Sequence, residues 1–308
     1  MDVKQIITDS SRAIADQYVL PEVGSTIAQR LTRQLAEGRY DGAATAQELA
    51  NLVTVDLQSV NGDGHLRLIH HVDEVPDMPS EEMYLAMAVK QASSTMDGVR
   101  RVERLDGNIA LLVIDPVLFD PPIAGNSITA ALQLVAKADA LIIDVRTVRG
   151  GDPYTVALIC SYLFDGPPTH LLDMHDRQGK HLQQFWTLPY VPGPRFGGTK
   201  PIRVLTSAGT FSGGEELAND LQFLGRAMIV GERTGGGAHP RVGLRVHPHL
   251  ELAVPVARPT NPGTNDNWEG VGIIPDIEVP AEGALDAALQ SLQTQTATAC
   301  KPRSTDRG

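Results

Sequence analysis

From Gly107 onward the chain alternates short apolar runs with longer stretches of helical spacing, and this rhythm limits what it can fold into more than any single residue does. The runs are Ile109–Ile114, Ala140–Val145, Ile202–Thr206 and Ala227–Val230. Helical patterns lie between them at Ser127–Lys137, Thr155–Phe164 and Glu215–Leu224. A short run with no polar face is a strand covered on both sides, and the intervening helices supply the cover. The pattern specifies an α/β layered core. Periodicity by itself allows a doubly wound sheet as readily as any other α/β arrangement. His170 to Gly198, around Phe185 and Trp186, reads as a β-hairpin and loop. Leu250–Val256 and Ile273–Val279 add short strands.

Residues 1–75 follow a different pattern. Ile6, Ile7, Ala13, Ile14, Tyr18 and Val19 recur at helix-like spacing, as do Ile27, Leu31 and Leu35. Arg39-Tyr40-Asp41-Gly42 interrupts them. Thr45-Ala46-Gln47-Glu48 opens a further helix with Leu49, Leu52, Val53 and Leu57 on one face. The segment is thus a three-helix module. Pro76–Pro79 reads as a linker, residues 76–294 as the core, and residues 295–308 as a polar tail.

Hydrophobic residues make up 42% of the 308, enough for a full core. The formal net charge is −11, and no basic tract is present to hold phosphate backbones, so nucleic acid is not an expected partner. Cys160 falls in an apolar helical run and reads as a buried free thiol; Cys300 lies in the tail. No run approaches the roughly 18–20 apolar residues that span a bilayer. Met1 to Asp9 lacks a basic segment followed by an apolar one. The chain as given reads as cytoplasmic, though a processed signal would leave the same sequence. Oligomeric state is not legible.

The strongest chemical signal is Thr206-Ser207-Ala208-Gly209-Thr210-Phe211-Ser212-Gly213-Gly214-Glu215-Glu216, between a strand and a helix. A serine there meets unpaired N–H groups and the positive end of a helix dipole, both of which favour an oxyanion. The plainer reading is that Ser212 is an N-cap, with Glu215 completing a capping box. Metal motifs are missing: no His-Glu-x-x-His, no cysteine pairs at ligand spacing and no EF-hand loop. Gly235-Gly236-Gly237 lacks the Gly-Lys-Ser/Thr ending of a phosphate loop. No cofactor is expected.

Three further segments accompany the serine: Leu141-Ile142-Ile143-Asp144-Val145-Arg146-Thr147-Val148-Arg149-Gly150-Gly151-Asp152, then Gly225 to Pro240, then Trp268-Glu269-Gly270-Val271-Gly272-Ile273-Ile274-Pro275-Asp276. In this order they resemble peptidase family S41, the tail-specific serine proteases. The likeness is nearest to the branch holding the repeats of interphotoreceptor retinoid-binding protein. It runs from about Val19 to about Val279. The resemblance implies a crotonase-like ββα core with stacked sheets behind the three-helix module, and a serine-type peptidase. Better-known members insert a PDZ domain before the core. Here His71 to Gly107 is too short for a domain of roughly 50 residues or more.

In that PDZ-bearing branch a lysine 25 residues after the serine acts as base; here that position is Gly237. His65, in Asn61-Gly62-Asp63-Gly64-His65, resembles the histidine of the tricorn-core branch and is a suitable general base. The plainer reading makes it a polar loop residue. His239, near the missing lysine, is a second candidate, as substrate contact or substitute base. Glu269 matches the glutamate that would orient the histidine in the tricorn-like branch, and Asp63 is an alternative by proximity. The N–H of Gly213 and that of Gly151 or Gly150 would form the oxyanion hole. Arg149 stands where the family often has glycine, a departure that would narrow the site. The expected substrate is a peptide or protein. The rivals are a non-catalytic binder of apolar small molecules, with Phe185, Trp186 and Tyr190 lining its pocket, and an esterase using the same serine.

Overall fold

The computed structural model describes residues 1–77 and 81–299. The linker expected at Pro76–Pro79 lies partly outside these, as do residues 300–308 of the expected tail, whereas residues 295–299 continue the last helix. In chain order the elements are α1 (Val3–Gln17), α2 (Pro21–Ala36), α3 (Ala46–Gln58), β1 (Arg67–His70), α4 (Glu81–Ser94), β2 (Val99–Leu105), β3 (Ile109–Ile114), α5 (Pro121–Val135), β4 (Ala140–Asp144), α6 (Pro153–Leu163), β5 (His170–His175), β6 (His181–Trp186), β7 (Ile202–Thr206), α7 (Gly213–Phe223), β8 (Met228–Gly231), β9 (Arg241–His247), β10 (Leu250–Pro255), β11 (Arg258–Thr260), β12 (Ile277–Glu278) and α8 (Ala284–Ala299). This is a mixed α/β chain with a helical N-terminus and several sheets. Among the described residues no helix is long and apolar enough to cross a membrane.

The chain forms two compact units, each assembled from separated segments. The first comprises residues 1–91, 170–186 and 235–272. Its helices start where local chemistry caps them. Asp2 accepts the Gln5 N–H at 3.0 Å ahead of α1. At α3, Thr45 Oγ1 accepts the Glu48 N–H while the Glu48 carboxylate accepts the Thr45 N–H, satisfying two orphan donors at once. The buried faces of α1 to α3 meet in one core: Ile7 and Ile14, Ile27 and Leu31, Leu49 and Leu57. Leu68 of β1 and Leu250, Leu252 and Val254 of β10 close it. The sheet beneath has the order β1-β10-β9, all antiparallel, with Leu68 opposite Leu252. A second sheet of this unit, β11-β5-β6, contains the expected hairpin, with His170 opposite Trp186.

The second unit comprises residues 92–169, 187–234 and 273 onward. Its six-stranded sheet has the order β12-β8-β7-β4-β3-β2. Strands β3, β4, β7, β8 and β12 run parallel and β2 pairs antiparallel at the edge. Every residue of β4 and β7 is buried, as a parallel sheet covered on both faces requires. Ala284, Ala288 and Leu292 of α8 pack with Ile109, Ile142, Leu205 and Val230 of the sheet. Cys160 is buried in α6 as a free thiol.

Candidate active site

The second unit builds the serine loop. After β7 the chain is tied back to the turn that follows β4. Ser207 Oγ donates to Arg146 O at 2.6 Å, Thr210 Oγ1 to Val145 O at 3.0 Å, and Phe211 N–H to Val148 O at 3.0 Å. These anchors force Ser212 to φ 52°, ψ −120°, a region that non-glycine residues avoid. Holding it there costs of order 1–3 kcal/mol, which the fixed loop must offset. Ser212 is the N-cap of α7, and its N–H donates to Glu215 Oε2 at 2.8 Å. The other oxygen of the fully buried Glu215 accepts Thr234 Oγ1 at 2.5 Å, and Thr234 Oγ1 accepts the Ile273 N–H at 2.6 Å. The plainer expectation for Glu215 thus describes its bonding, and the same contacts fix the backbone of Ser212.

Gly150 lies against Ser212, and Gly151 against Gly213. A Cβ on Gly150 would stand 3.9 Å from Ser212 Oγ, and one on Gly213 would fall 2.7 Å from the nitrogen of Gly151. A Cβ on Gly151 would in turn strike Leu118, which bridges to it in parallel. At Gly151 and Gly213 only glycine permits this approach, while a Cβ at Gly150 would make ordinary van der Waals contact. No hydrogen bond from the N–H of Gly151 or of Gly213 is found among the described residues. Asp144 and Arg146 form a bidentate ion pair, at 2.9 and 2.6 Å.

The first unit builds the histidine cluster. The turn after α3 buries Asp63 completely and leaves His65 9% exposed. Asp63 Oδ1 accepts the His65 backbone N–H at 2.9 Å. Its Oδ2 accepts the Tyr18 hydroxyl at 2.7 Å and lies 3.2 Å from His239 Nδ1. Asn61 Nδ2 donates to the Tyr18 oxygen at 2.7 Å. Glu269 Oε2 accepts the N–H groups of Ala238 and His239, at 2.6 and 3.1 Å, and stands 3.5 Å from His239 Nδ1. His239, 2% exposed, therefore sits between two carboxylates. Trp268 Nε1 donates to Gly237 O at 3.1 Å and fixes the segment carrying Glu269.

Charge in this cluster is strongly tuned. Burial drives His65 down to about 4, against the opposing pull of the Asp63 charge. Its imidazole is neutral at physiological pH. Burial pushes Glu269 up to about 7, reinforced by the Asp63 charge and opposed by His239 and the two N–H donors. Burial also disfavours the Asp63 carboxylate, but the His239 bond and charge, the Tyr18 hydroxyl and the His65 N–H outweigh it and hold Asp63 below its usual value. Asp63, His65 and Glu269 each offer an atom within 4.8 Å of the others, a spacing from which a cation could be held. Both Asp63 oxygens already make hydrogen bonds, with which a cation there would compete.

Of the residues singled out in the sequence, Ser212, Gly213, Gly150 and Gly151 come together in the second unit, and His65, His239 and Glu269 in the first. Sequence reasoning passed over Tyr18 and Asn61, which hold Asp63, and Thr234, which holds Glu215. Tyr18 was legible only as an apolar helix position; nothing in the local pattern says where its hydroxyl goes.

A sequence model of peptidase family S41 matches residues 118–279, more than half of the chain. The chain belongs to peptidase family S41. A second S41 model, of the N-terminal domain in eukaryotic IRBP, matches residues 1–102. Solved structures with this fold include a protein of Parabacteroides merdae ATCC 43184, at TM-score 0.67 and 16% identity over 98% of this chain and 100% of that one. A lipoprotein from Streptococcus agalactiae aligns at TM-score 0.59 and 19% identity, over 96% and 97%. The photosystem II D1 C-terminal processing protease aligns at TM-score 0.52 and 16% identity, over 92% and 94%. At these identities the likeness to the S41 chain is one of fold.

Proposed function

We propose that this S41 chain is a serine peptidase. Ser212 Oγ attacks the peptide carbonyl as His65 takes its proton, and His65 gives that proton to the leaving amine as the C–N bond breaks and the acyl-enzyme forms; water then attacks the acyl-enzyme, with His65 taking the water's proton and returning it to Ser212 Oγ as the acid product leaves. The observation that carries the reading is Ser212 held at positive φ on the N-terminus of α7, with Gly150 packed against it and Gly151 against Gly213. The N–H groups of Gly213 and of Gly151 or Gly150 stabilise the tetrahedral oxyanion. A neutral His65 is ready to accept a proton, and the charge of Asp63 stabilises the imidazolium as it forms. Glu269 orients His65 once ionised. Its Oε1 is buried and has no hydrogen-bond partner among the described residues, which leaves an oxygen for the ring. His239 bridges the two carboxylates and is read as a positioning group. The substrate is an extended peptide held by backbone pairing along a strand edge.

The apolar-ligand reading has little support, since Trp186 is 43% exposed and stacked on His170 while Phe185 is buried. Mass spectrometry after a fluorophosphonate probe tests the peptidase reading. Labelling is expected at Ser212 of the wild type and absent from Ser212→Ala and His65→Ala. A folded wild type that takes no label would sink it. Turnover of peptides rather than simple esters separates peptidase from esterase.

A further inference from the structure

The second unit carries a cleft that the proposed chemistry does not use. It encloses about 630 Å³ and is lined by Arg100, Arg101, Arg146 and Arg149 against only Asp144 and Glu282. Four guanidinium groups facing two carboxylates stand out on a chain whose formal net charge is −11. The cleft opens at the carboxyl ends of the parallel strands: Val113 near the end of β3, Asp144 at the end of β4 and Ser207 just past β7 all line it. In open α/β sheets that edge is where ligands bind.

The arginines differ in what they have left to give. Arg146 is the most committed: its fork closes on Asp144, and Nη1 donates to Ala281 O at 2.6 Å, three of its five N–H donors. Arg100 pairs with Asp115 at 2.7 Å and Arg101 with Glu103 on its own strand; both are more than half exposed and keep further N–H donors. Arg149 is exposed and uses one donor on Gly209 O, at 2.8 Å. This arginine ties the cleft to the proposed chemistry. It immediately precedes Gly150, and the carbonyl it holds lies three residues before Ser212 in the serine loop.

We propose that this cleft receives a carboxylate of the peptide, so that Arg149, assisted by Arg100 and Arg101, selects acidic substrates. The inference rests on the peptidase reading for its ligand, but the cleft can be tested separately. A planar fork with donors to spare matches a carboxylate in two-point geometry, and such charge-assisted bonds are the strong ones. The carboxylate can come from an acidic side chain or from the end of the peptide.

The test uses blocked peptides of one sequence in three forms: no carboxylate, a single Glu walked through the positions in place of Gln, and a free C-terminus. Binding to the full-length Ser212→Ala protein is measured by calorimetry, and hydrolysis by the wild type is followed in parallel. A carboxylate form is expected to bind about tenfold or more tightly than the uncharged one, the return of a hydrogen bond to a charged group. The Glu and free-terminus arms show which source the cleft takes. In Arg149→Gln the preference should fall to near unity. Arg149 also touches the serine loop, so Arg100→Gln/Arg101→Gln, on the edge strand β2, gives an independent reading and should weaken the preference several-fold. Added salt should erode it in the wild type. Equal binding of all forms, no binding by any, or a preference unchanged in both variants overturns the proposal. Carboxylate-dependent binding without hydrolysis would keep the cleft and remove the peptidase reading; hydrolysis blind to charge would do the reverse.

Discussion

Glu269 is the residue whose ionisation has most to say about the chemistry. Its value near 7 lies in the physiological range, while His65 is already neutral above about pH 4. If ionised Glu269 orients the histidine, kcat/KM should rise with pH through about 7, and that limb reports Glu269. Glu269→Gln should lower kcat by roughly one to several orders of magnitude and remove the limb, as measured in pH–rate profiles of the two proteins. Stability moves in opposite directions with the two groups. Glu269 has a raised folded value, so its contribution is complete below the unfolded value of 4.5 and is lost as pH climbs through about 7. His65 has a depressed one, so its contribution is complete above 6.5 and is lost as pH falls towards 4. At this scale the sequence identified residue types better than their bonds. Ser212 stood out from its strand-to-helix position, but its positive φ follows from anchors at Val145, Arg146 and Val148 that lie more than sixty residues away. Glu269 was chosen by motif, while its bonds run to Ala238 and His239.

Helix α7 carries a second buried acid pair below its serine. Glu216 and Asp220 lie one turn apart, 8% and 1% exposed, and Glu216 Oε1 and Asp220 Oδ2 have no hydrogen-bond partner among the described residues. Burial raises both carboxyls well above their usual range, and for Glu216 the Asp220 charge adds to it. Raised folded values mean that stability from these groups is complete below about pH 4 and declines as pH rises. Asp220→Asn keeps an acceptor for Asn219 and needs no proton. Its Tm at pH 8 should exceed that of the wild type by roughly 2–4 °C, the response to about 1 kcal/mol in a domain of this size, and the gap should close as pH falls towards about 4. A Tm difference independent of pH would show that the pair does not titrate during unfolding. Among the elements, strong periodicity was legible and weak periodicity was not. Strands β3, β4 and β7 and helices α1 to α3 stand where their apolar spacing put them. Helix α5 begins at Pro121, six residues before the predicted Ser127, because Asp120-Pro121-Pro122 is a start signal that apolar spacing cannot reveal. Helix α4 and strand β2 went unread since both leave much of their surface exposed, and with it the alternation that marks an element.

For the whole molecule, contacts divide the chain differently from composition. The sequence sets a helical module at residues 1–75 apart from a core. In the folded chain the strands that complete the module's sheet, β9 and β10, come from residues 241–255. A fragment of residues 1–75 therefore lacks the partners of β1 and leaves Ile14, Leu57 and Leu68 without Leu250, Leu252 and Val254. Such a fragment is expected to show partial helicity and no cooperative thermal transition by circular dichroism. A sharp transition at a Tm near that of the full chain would establish the module as autonomous. No local pattern could have announced this, because a strand's partner is written elsewhere in the chain. The same arrangement matters during synthesis. Strand β1 leaves the ribosome about 180 residues ahead of β10, a lag of roughly 10–40 s at ordinary elongation rates. For that interval the nascent helices present a sticky, half-finished core to the cell, and a chaperone holding them until β10 arrives would decide how much of the protein reaches its native state.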